Sequence, residues 1–227
     1  MNWDKMEIER LMGEMPKTMP FIREVNDVTA KSFGCNVPIQ ETEEHLTESN
    51  LGHFVYLKDN GRPRLVAYAL NDIFDCTFSH GEEFKESTTL KVNYFASAFI
   101  IPEIRRQFAL YKLLGSARLL NDEDVLMVRT QNPIVMSFFA WLCQFTGMEL
   151  HCPTRYPTNG RLPKNVTQTV SQKFGKMCLW PKDLLFREVY GRCLTGKPIE
   201  ATTPFTKELT RRLAPYAGDA VVMVGVK

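Results

Sequence analysis

The stretch that most constrains the fold is residues 92–114, VNYFASAFIIPEIRRQFALYKLL. Its first ten residues form an apolar run with strand character that ends at Pro102, and a basic turn with Arg105 and Arg106 leads straight into a helical pattern. The first N–H groups of a helix have no partner within it, and the helix dipole places partial positive charge there. A strand that feeds directly into a helix therefore predicts an anion-binding site, with a phosphate or pyrophosphate as its natural ligand.

The rest of the chain predicts short strands alternating with short helices. Asn60 and Gly61 supply the positive-φ residues of a hairpin turn between two apolar runs. Met6, Leu11 and Met15 stand at helical spacing and predict an amphipathic helix in an N-terminal extension, residues 1–20. Strands are predicted at 51–58, 64–74, 88–101, 125–130, 148–152 and 220–226, and helices at 43–48, 104–120, 132–145, 166–174, 182–190 and 206–213.

This order of elements, with the unit at 92–114, resembles the acetyl-CoA-binding GNAT superfamily of N-acetyltransferases. The family signature is an apolar strand, then Pro-x-x-Arg, then a Gly-rich turn and a helix. Pro102 and Arg105 match the Pro-x-x-Arg part, and Ile100 and Ile101 match the strand end. The two small positions of the turn hold Phe108 and Leu110, or Ala109 and Tyr111 in the register shifted by one, so both glycines of the family pattern are missing.

The resemblance implies where acetyl-CoA, the co-substrate, would bind. Its pyrophosphate would lie on the backbone N–H groups of residues 106–111. Asn132 matches the family's Asn at the start of a second helix. Phe139 stands seven residues on, where many members carry the Tyr that protonates the departing CoA thiolate. The implied CoA-binding residues are Phe99, Ile100, Ile101, Arg105, Arg106, Gln107, Phe108, Ala109, Leu110, Tyr111, Asn132 and Phe139.

The fold implied is α/β (α+β) and GNAT-like, with a mixed, mainly antiparallel central sheet of six to seven strands and helices on both faces. The sheet would splay between the strand ending at Ile101 and the strand ending near Thr130. Residues 21–227 would form a single domain. A long insertion, residues 153–219, would separate the last two strands and serve as a lid or an interaction surface, because ordinary connections are far shorter.

Acyl transfer from a thioester to an amine needs a base for the amine proton and a donor for the oxyanion and the thiolate. The catalytic candidates are Tyr94 and Tyr190. Tyr94 shares one strand face with Ile100, although core packing is its alternative interpretation. Tyr190 lies in the insertion beside Gly191. The identity of the base stays open among Glu103, Asp72, Asp75, His53 and Tyr56.

Composition limits the remaining classes. A net charge of +2 gives no indication of nucleic-acid binding, and no run of eighteen apolar residues predicts a membrane span. The N-terminus lacks the pattern of a signal peptide. The six cysteines show neither Cys-x-x-Cys nor zinc spacing. The sequence thus predicts a cytoplasmic protein with reduced thiols, no metal, no nucleic-acid partner and no membrane partner.

Two functions follow as hypotheses. The first is an acyltransferase that moves an acetyl or related acyl group from acyl-CoA to an amine acceptor, a small molecule or a protein, by direct attack in a ternary complex. The alternative is a catalytically inactive GNAT-fold module that binds CoA or a protein or small-molecule partner. A homodimer is left open by the sequence.

Overall fold

The computed structural model describes residues 6–59, 62–80, 86–107, 122–153, 163–175, 184–195 and 197–227. The α-helices in these ranges are α1 (Met19–Phe33), α2 (Ile39–Thr47), α3 (Pro133–Thr146), α4 (Lys164–Phe174) and α5 (Pro204–Arg211). The strands are β1 (Met6–Met12), β2 (Leu51–Asp59), β3 (Arg62–His80), β4 (Glu86–Ile100), β5 (Val125–Thr130), β6 (Glu149–His151), β7 (Leu185–Phe186) and β8 (Ala220–Val226).

The strands form one open sheet in the order β1-β2-β3-β4-β5-β8-β6, and β7 also pairs with β8. The pairs β1–β2, β2–β3, β5–β8, β6–β8 and β7–β8 are all antiparallel. The predicted mixed α/β fold with a mostly antiparallel sheet is therefore confirmed. β4 and β5 are neighbours, as predicted. Over the described ranges the sheet has eight strands instead of six or seven, because β1 and β7 join it.

Two compact units divide the chain. The first comprises Met1–Ile73 and Tyr94–Asn121, and the second comprises Phe74–Asn93 and Asp122–Lys227. The long strands β3 and β4 each belong to both units. The single domain expected for residues 21–227 stays a prediction, as does the splay between the ends of β4 and β5.

Aromatic packing between α1 and the sheet forms the core of the first unit. Phe54 of β2 contacts Phe21 of α1, with ring centroids 5.1 Å apart, and stacks at 6.2 Å on Tyr68 of β3. Tyr68 is 1% exposed, and its hydroxyl lies 2.6 Å from the Thr29 hydroxyl of α1. Burial raises the pKa of Tyr68. Helix α1 was not predicted from the sequence, although it has Pro20 in its first turn and Gly34 at its end with a φ of 70°.

Strand β8 is the centre of the second unit. Residues 220–225 are buried, and β5, β6 and β7 all pair with this strand. Helix α3 packs closely on it, because a Cβ added at Gly225 would lie 2.6 Å from the Cys143 Sγ atom. Asn132 caps the start of α3, and Gly147 ends it with a φ of 71°. This helix and its two end residues agree with the sequence analysis.

Three predicted helices need correction or qualification. The N-terminal helix is wrong over residues 6–12, which form β1, because the alternation of Met6 and Ile8 with glutamates suits an edge strand against β2. The helix at 182–190 is wrong over its described residues, because Leu185–Phe186 pairs with β8 as β7. Of the helix at 104–120, the described part belongs to a 3₁₀ helix, Pro102–Gln107, and residues 108–120 lie outside the described residues.

Candidate functional site

The turn after β4 is one candidate region, and it lies in the first unit. Ile101 is 1% exposed, and its N–H donates to the Val66 carbonyl at 3.1 Å, which continues the sheet to the last residue before Pro102. The 3₁₀ helix Pro102–Gln107 follows without a linker. The chain thus passes directly from an apolar strand into a helical turn, as the sequence predicts.

Arg105 is exposed and is bonded to the main chain. Its Nε donates to the Ile100 carbonyl at 3.0 Å, and its Nη2 donates to the Ser32 carbonyl at the end of α1. The Ser32 hydroxyl donates to the same Ile100 carbonyl at 2.8 Å. These bonds use two of the five N–H donors of the guanidinium. Arg105 therefore anchors the turn to α1 and keeps further donors that can contact an anion.

The other implied CoA residues of this turn are placed unevenly. Phe99 is half-buried, and its ring contacts Phe33 at 5.0 Å and Tyr68 at 5.3 Å between centroids. Arg106 and Gln107 are described by their backbone, in the 3₁₀ helix. The implied residues Phe108, Ala109, Leu110 and Tyr111 lie outside the described residues.

The junction between β5 and α3 is a separate candidate region, and it lies in the second unit. The Asn132 side-chain oxygen accepts from the Ile134 N–H at 2.9 Å, and its own N–H donates to the Thr130 hydroxyl at 2.9 Å. This is the hydrogen bonding of a helix N-cap, so the cap alone explains an asparagine at this position. Phe139 lies on the buried face of α3 and is 1% exposed.

Part of the insertion is fastened to the end of β5 by one amide. The Gln131 side-chain oxygen accepts from the Leu194 N–H at 3.0 Å. Its Nε2 donates to the carbonyls of Arg192 at 3.1 Å and Pro215 at 3.5 Å. The sequence analysis missed Gln131, because none of its three partners is near it in the chain.

Tyr190 lies against β5 in the same unit. Its hydroxyl donates to the Arg129 carbonyl at 3.2 Å. The Arg129 guanidinium lies 5.1 Å from the Tyr190 ring centroid and 4.9 Å from that of Phe174, within the range of cation–π attraction. Tyr94 is 5% exposed in β4 and belongs to the first unit, so the two catalytic candidates are each described within their own unit.

Asp219 is a second residue that sequence reasoning missed, since Gly218-Asp219 was interpreted only as the turn before β8. Its carboxylate is 2% exposed and accepts from the N–H groups of Glu188 at 3.0 Å and Ala214 at 2.9 Å, and from the Arg187 guanidinium. Burial alone would raise the pKa of Asp219, but these hydrogen bonds and the Arg187 charge outweigh it and lower the pKa. Asp219 thus joins two segments of the insertion at the start of β8.

His53, one of the candidate bases, is a buried neutral side chain. It is 1% exposed on β2, between Arg10 of β1 and Ala69 of β3, and among the described residues neither ring nitrogen has a hydrogen-bond partner. Burial, and then the charge of Arg10, lower the pKa of His53 from 6.5 to about 4. At neutral pH it therefore has little tendency to take the proton of an attacking amine.

This burial predicts a pH dependence of stability. The folded-state pKa lies below the unfolded one, so stability is complete above pH 6.5 and falls as the pH drops toward 4. We expect a loss of roughly 2 kcal/mol between pH 7 and pH 5, measured by urea unfolding. A His53→Gln variant loses this titration but keeps that of His151, whose pKa burial also lowers. The difference in stability between wild type and variant should therefore change by about 2 kcal/mol between pH 7 and pH 5, and a difference that stays constant would contradict the prediction.

Tyr56 is another of the candidate bases, and it lies on β2. Burial, followed by the charges of Glu24 and Glu9, raises the pKa of Tyr56 to about 12, so it is protonated at neutral pH.

Within the described ranges, no three His, Cys, Asp or Glu side chains are placed to hold a metal ion. Among the described helices, none combines the length and apolar character needed to cross a membrane.

No protein-family model matches the sequence, and no curated protein is significantly similar to it. Similar solved structures include the ribosomal-protein-S18-alanine N-acetyltransferase from Escherichia coli, at 13% identity over 68% of this chain and 85% of that chain, with a TM-score of 0.41. Arabidopsis thaliana NAA60 in complex with acetyl-CoA is 8% identical over 63% and 87%, with a TM-score of 0.40. An aminoglycoside acetyltransferase, meta-AAC0020 from an uncultured soil metagenomic sample in complex with sisomicin, is 14% identical over 70% and 95%, with a TM-score of 0.37.

The strand order of the described residues agrees with the sheet that the resemblance implied. β6 pairs antiparallel with β8, which are the two strands that the resemblance placed last in the sheet. The described part of the insertion between them contains α4, β7 and α5.

Proposed function

We propose that the protein is an acyltransferase that moves an acetyl or related acyl group from acyl-CoA to an amine. The observation that carries the proposal is the direct passage from β4 into the turn Pro102–Gln107, in the sheet position where the resemblance places CoA. Arg105 fits this ligand, because it is exposed and two main-chain carbonyls hold it in place. A guanidinium anchored in this way suits a phosphate group.

The reaction consistent with this proposal is direct attack in a ternary complex. The amine nitrogen would attack the thioester carbonyl carbon, a C–N bond would form, and the C–S bond would break to release the CoA thiolate. The amine loses a proton to a base or to water, and the thiolate gains one.

Tyr94 and Tyr190 are the proposed catalytic side chains. Tyr190→Phe removes only a hydroxyl, and this variant should have a lower kcat without weaker CoA binding.

The acceptor class is proposed as an amine, on a small molecule or on a protein. Among the similar structures, one is named for alanine of ribosomal protein S18, and another is an aminoglycoside acetyltransferase in complex with sisomicin. A panel that includes short peptides with a free N-terminus, free lysine and aminoglycosides covers both kinds of amine.

The test is acetyl-CoA titration by calorimetry, followed by CoA release in the presence of the amine panel. We expect Arg105→Ala to weaken acetyl-CoA binding by roughly tenfold, because the variant loses a charge-assisted hydrogen bond. Arg211→Ala removes an equally charged side chain that is 77% exposed in α5, and it should bind acetyl-CoA like the wild type. The absence of wild-type binding at millimolar acetyl-CoA would overturn the proposal.

Phe139→Tyr tests the residue that replaces the family's usual acid. The ring is 1% exposed, so the added hydroxyl enters the core and should cost about 2 kcal/mol of unfolding free energy. Phe145→Tyr makes the same chemical change at a side chain that is 73% exposed and should be neutral. An unchanged melting temperature together with faster CoA release would contradict this expectation and place the ring edge beside the thioester.

A module without catalysis is the second candidate. It is favoured by the burial of Phe139, which has no proton to donate, and by the Tyr190 hydroxyl, whose proton already goes to the Arg129 carbonyl. The same assay separates the two functions, because acetyl-CoA binding without CoA release on any amine supports the module.

A further inference from the structure

The outward face of α3 carries no charge. No Asp, Glu, Lys, Arg or His occurs between Arg129 and Glu149, a range that contains the whole helix and both of its end residues. Charged side chains normally make up most of the exposed face of a surface helix. An exposed face without any charge is therefore unusual and needs an explanation.

Large apolar side chains occupy this face. Ile134 is 60% exposed, Trp141 is 40% exposed and Phe145 is 73% exposed. Their spacing of seven and four residues places them on one side of the helix. The Trp141 and Phe145 rings stack with centroids 5.2 Å apart and an angle of 16° between their planes. Together they form an apolar ridge, defined here as Ile134, Trp141 and Phe145.

We propose that this ridge is an interface between two copies of the chain, with the two α3 helices antiparallel about a two-fold axis. In a two-fold interface, each surface patch meets its own copy. A charge near the axis would face the same charge on the partner, and an uncharged face avoids that repulsion and the cost of burying unpaired charge. Antiparallel packing also opposes the two helix dipoles, which is favourable.

The positions of the side chains agree with this arrangement. Ile134 and Phe145 are eleven residues apart in sequence, about 16 Å along the helix. If the two-fold axis of the dimer passes midway between these two residues, Ile134 of one copy lies opposite Phe145 of the other. Trp141 then lies near the centre of the interface, opposite the turn that contains the small Ser137. Trp is enriched at the centres of interfaces, where a large ring fills space left by small residues.

Two features favour a second copy over a membrane surface. A helix that lies on a membrane usually carries Lys or Arg beside its apolar face, and α3 carries neither. The neighbouring helix α5 presents Arg211 paired with Glu208 at 3.1 Å, a balanced polar rim of the kind found around protein interfaces.

The exposed area sets the expected strength. The two rings expose roughly 250 Å² between them, compared with the ~800 Å² that each partner contributes to a standard interface. The ridge is thus the centre of a small interface, and the dimer should be weak. We expect a dissociation constant in the micromolar range, so that the dimer forms and dissociates as the concentration changes.

Sedimentation velocity of the full-length protein, from micromolar to near-millimolar concentration, tests the proposal. The wild type should shift from monomer to dimer, and Phe145→Glu should stay monomeric throughout. Met12→Glu places the same charge on an apolar side chain that is 69% exposed in the first unit, and this variant should dimerise like the wild type. Circular dichroism confirms that each variant folds.

A charge exchange tests the antiparallel arrangement. Ile134→Lys alone should weaken the dimer, whereas Ile134→Lys combined with Phe145→Glu should restore it. In the double variant, the lysine of each copy faces the glutamate of the other copy, so the two-fold axis produces two such pairs. A wild type that stays monomeric at every concentration would overturn the proposal. Loss of the dimer in Met12→Glu, or a double variant that stays monomeric, would also overturn it.

Discussion

Asp219→Ala is expected to lower the free energy of unfolding by about 3 kcal/mol. The carboxylate is 2% exposed and accepts from two backbone N–H groups, those of Glu188 and Ala214. Alanine leaves both groups without their acceptor in a buried site, and a buried donor that loses its partner costs more than the hydrogen bond itself contributed. The Arg187 guanidinium loses its ion-pair partner as well.

Urea unfolding measures this loss, and two variants divide it among the contacts. Asp219→Asn keeps one acceptor oxygen and the shape of the side chain, so it should lose less. Arg187→Ala removes a side chain that is 59% exposed, and its effect should be below about 1 kcal/mol, because exposed ion pairs contribute little. If Arg187→Ala costs as much as Asp219→Ala, the two backbone hydrogen bonds do not stabilise the fold as proposed.

The sign of the acid dependence follows from the lowered pKa of Asp219. Its folded-state pKa lies below the ordinary value of 3.8, so this contribution is complete above that pH and is lost as the pH falls through the lowered value. Its pH window lies below that of His53, which is between 6.5 and about 4. Wild type and Asp219→Asn should therefore respond to pH alike between 7 and 5, and should differ in slope only below about 4.

Local pattern predicted several elements closely. The strands at 125–130 and 220–226 match the structure residue for residue, because each contains at least four consecutive apolar residues that are buried in the sheet. The start and end of α3 were predicted from Asn132, Pro133 and Gly147, whose effects act within one helical turn. Such signals need no knowledge of the rest of the chain.

Elements that depend on distant pairing were missed. Met6, Leu11 and Met15 fit a helical spacing, but β1 forms because its backbone pairs with the edge of β2, about 45 residues away. β7 is two residues long and is held by its pairing with β8. Neither segment carries enough local preference to indicate a strand by itself.

The candidate functional residues also divide into those whose roles follow from neighbouring residues and those whose roles depend on distant ones. The strand-to-turn passage at Pro102 and the cap at Asn132 follow from neighbouring residues and were predicted. Arg105 was predicted as a phosphate ligand, and the structure adds a bond to the Ser32 carbonyl, 73 residues away. Gln131 and Asp219 form hydrogen bonds to residues that are distant in the sequence. The bond from Glu188 to Asp219 spans 31 residues, and the bond from Gln131 to Pro215 spans 84. Those roles depend on which distant segments meet after folding, and the local sequence pattern does not indicate this.

Gly218→Ala should be as damaging as Asp219→Ala, at about 3 kcal/mol. Gly218 has a φ of 92°, which L side chains rarely adopt. An added Cβ would also lie 2.8 Å from the Arg192 nitrogen and 2.9 Å from the Tyr190 carbonyl carbon, and closer still to the Gly191 nitrogen. These are backbone atoms, so the segment that carries Tyr190 must move as a whole.

Gly191→Ala is the matched control. Gly191 also has a positive φ, 61°, but an added Cβ meets nothing within 4 Å. It should therefore cost only about 1 kcal/mol, the strain of the left-handed backbone alone. If Tyr190 acts in acyl transfer, Gly218→Ala should also lower kcat well beyond Gly191→Ala, because it displaces the hydroxyl that is held 3.2 Å from the Arg129 carbonyl. Equal melting temperatures for the two variants would show that residues 190–192 move to accommodate the added Cβ without a loss of stability. The close packing of Gly218 would then not be what positions Tyr190.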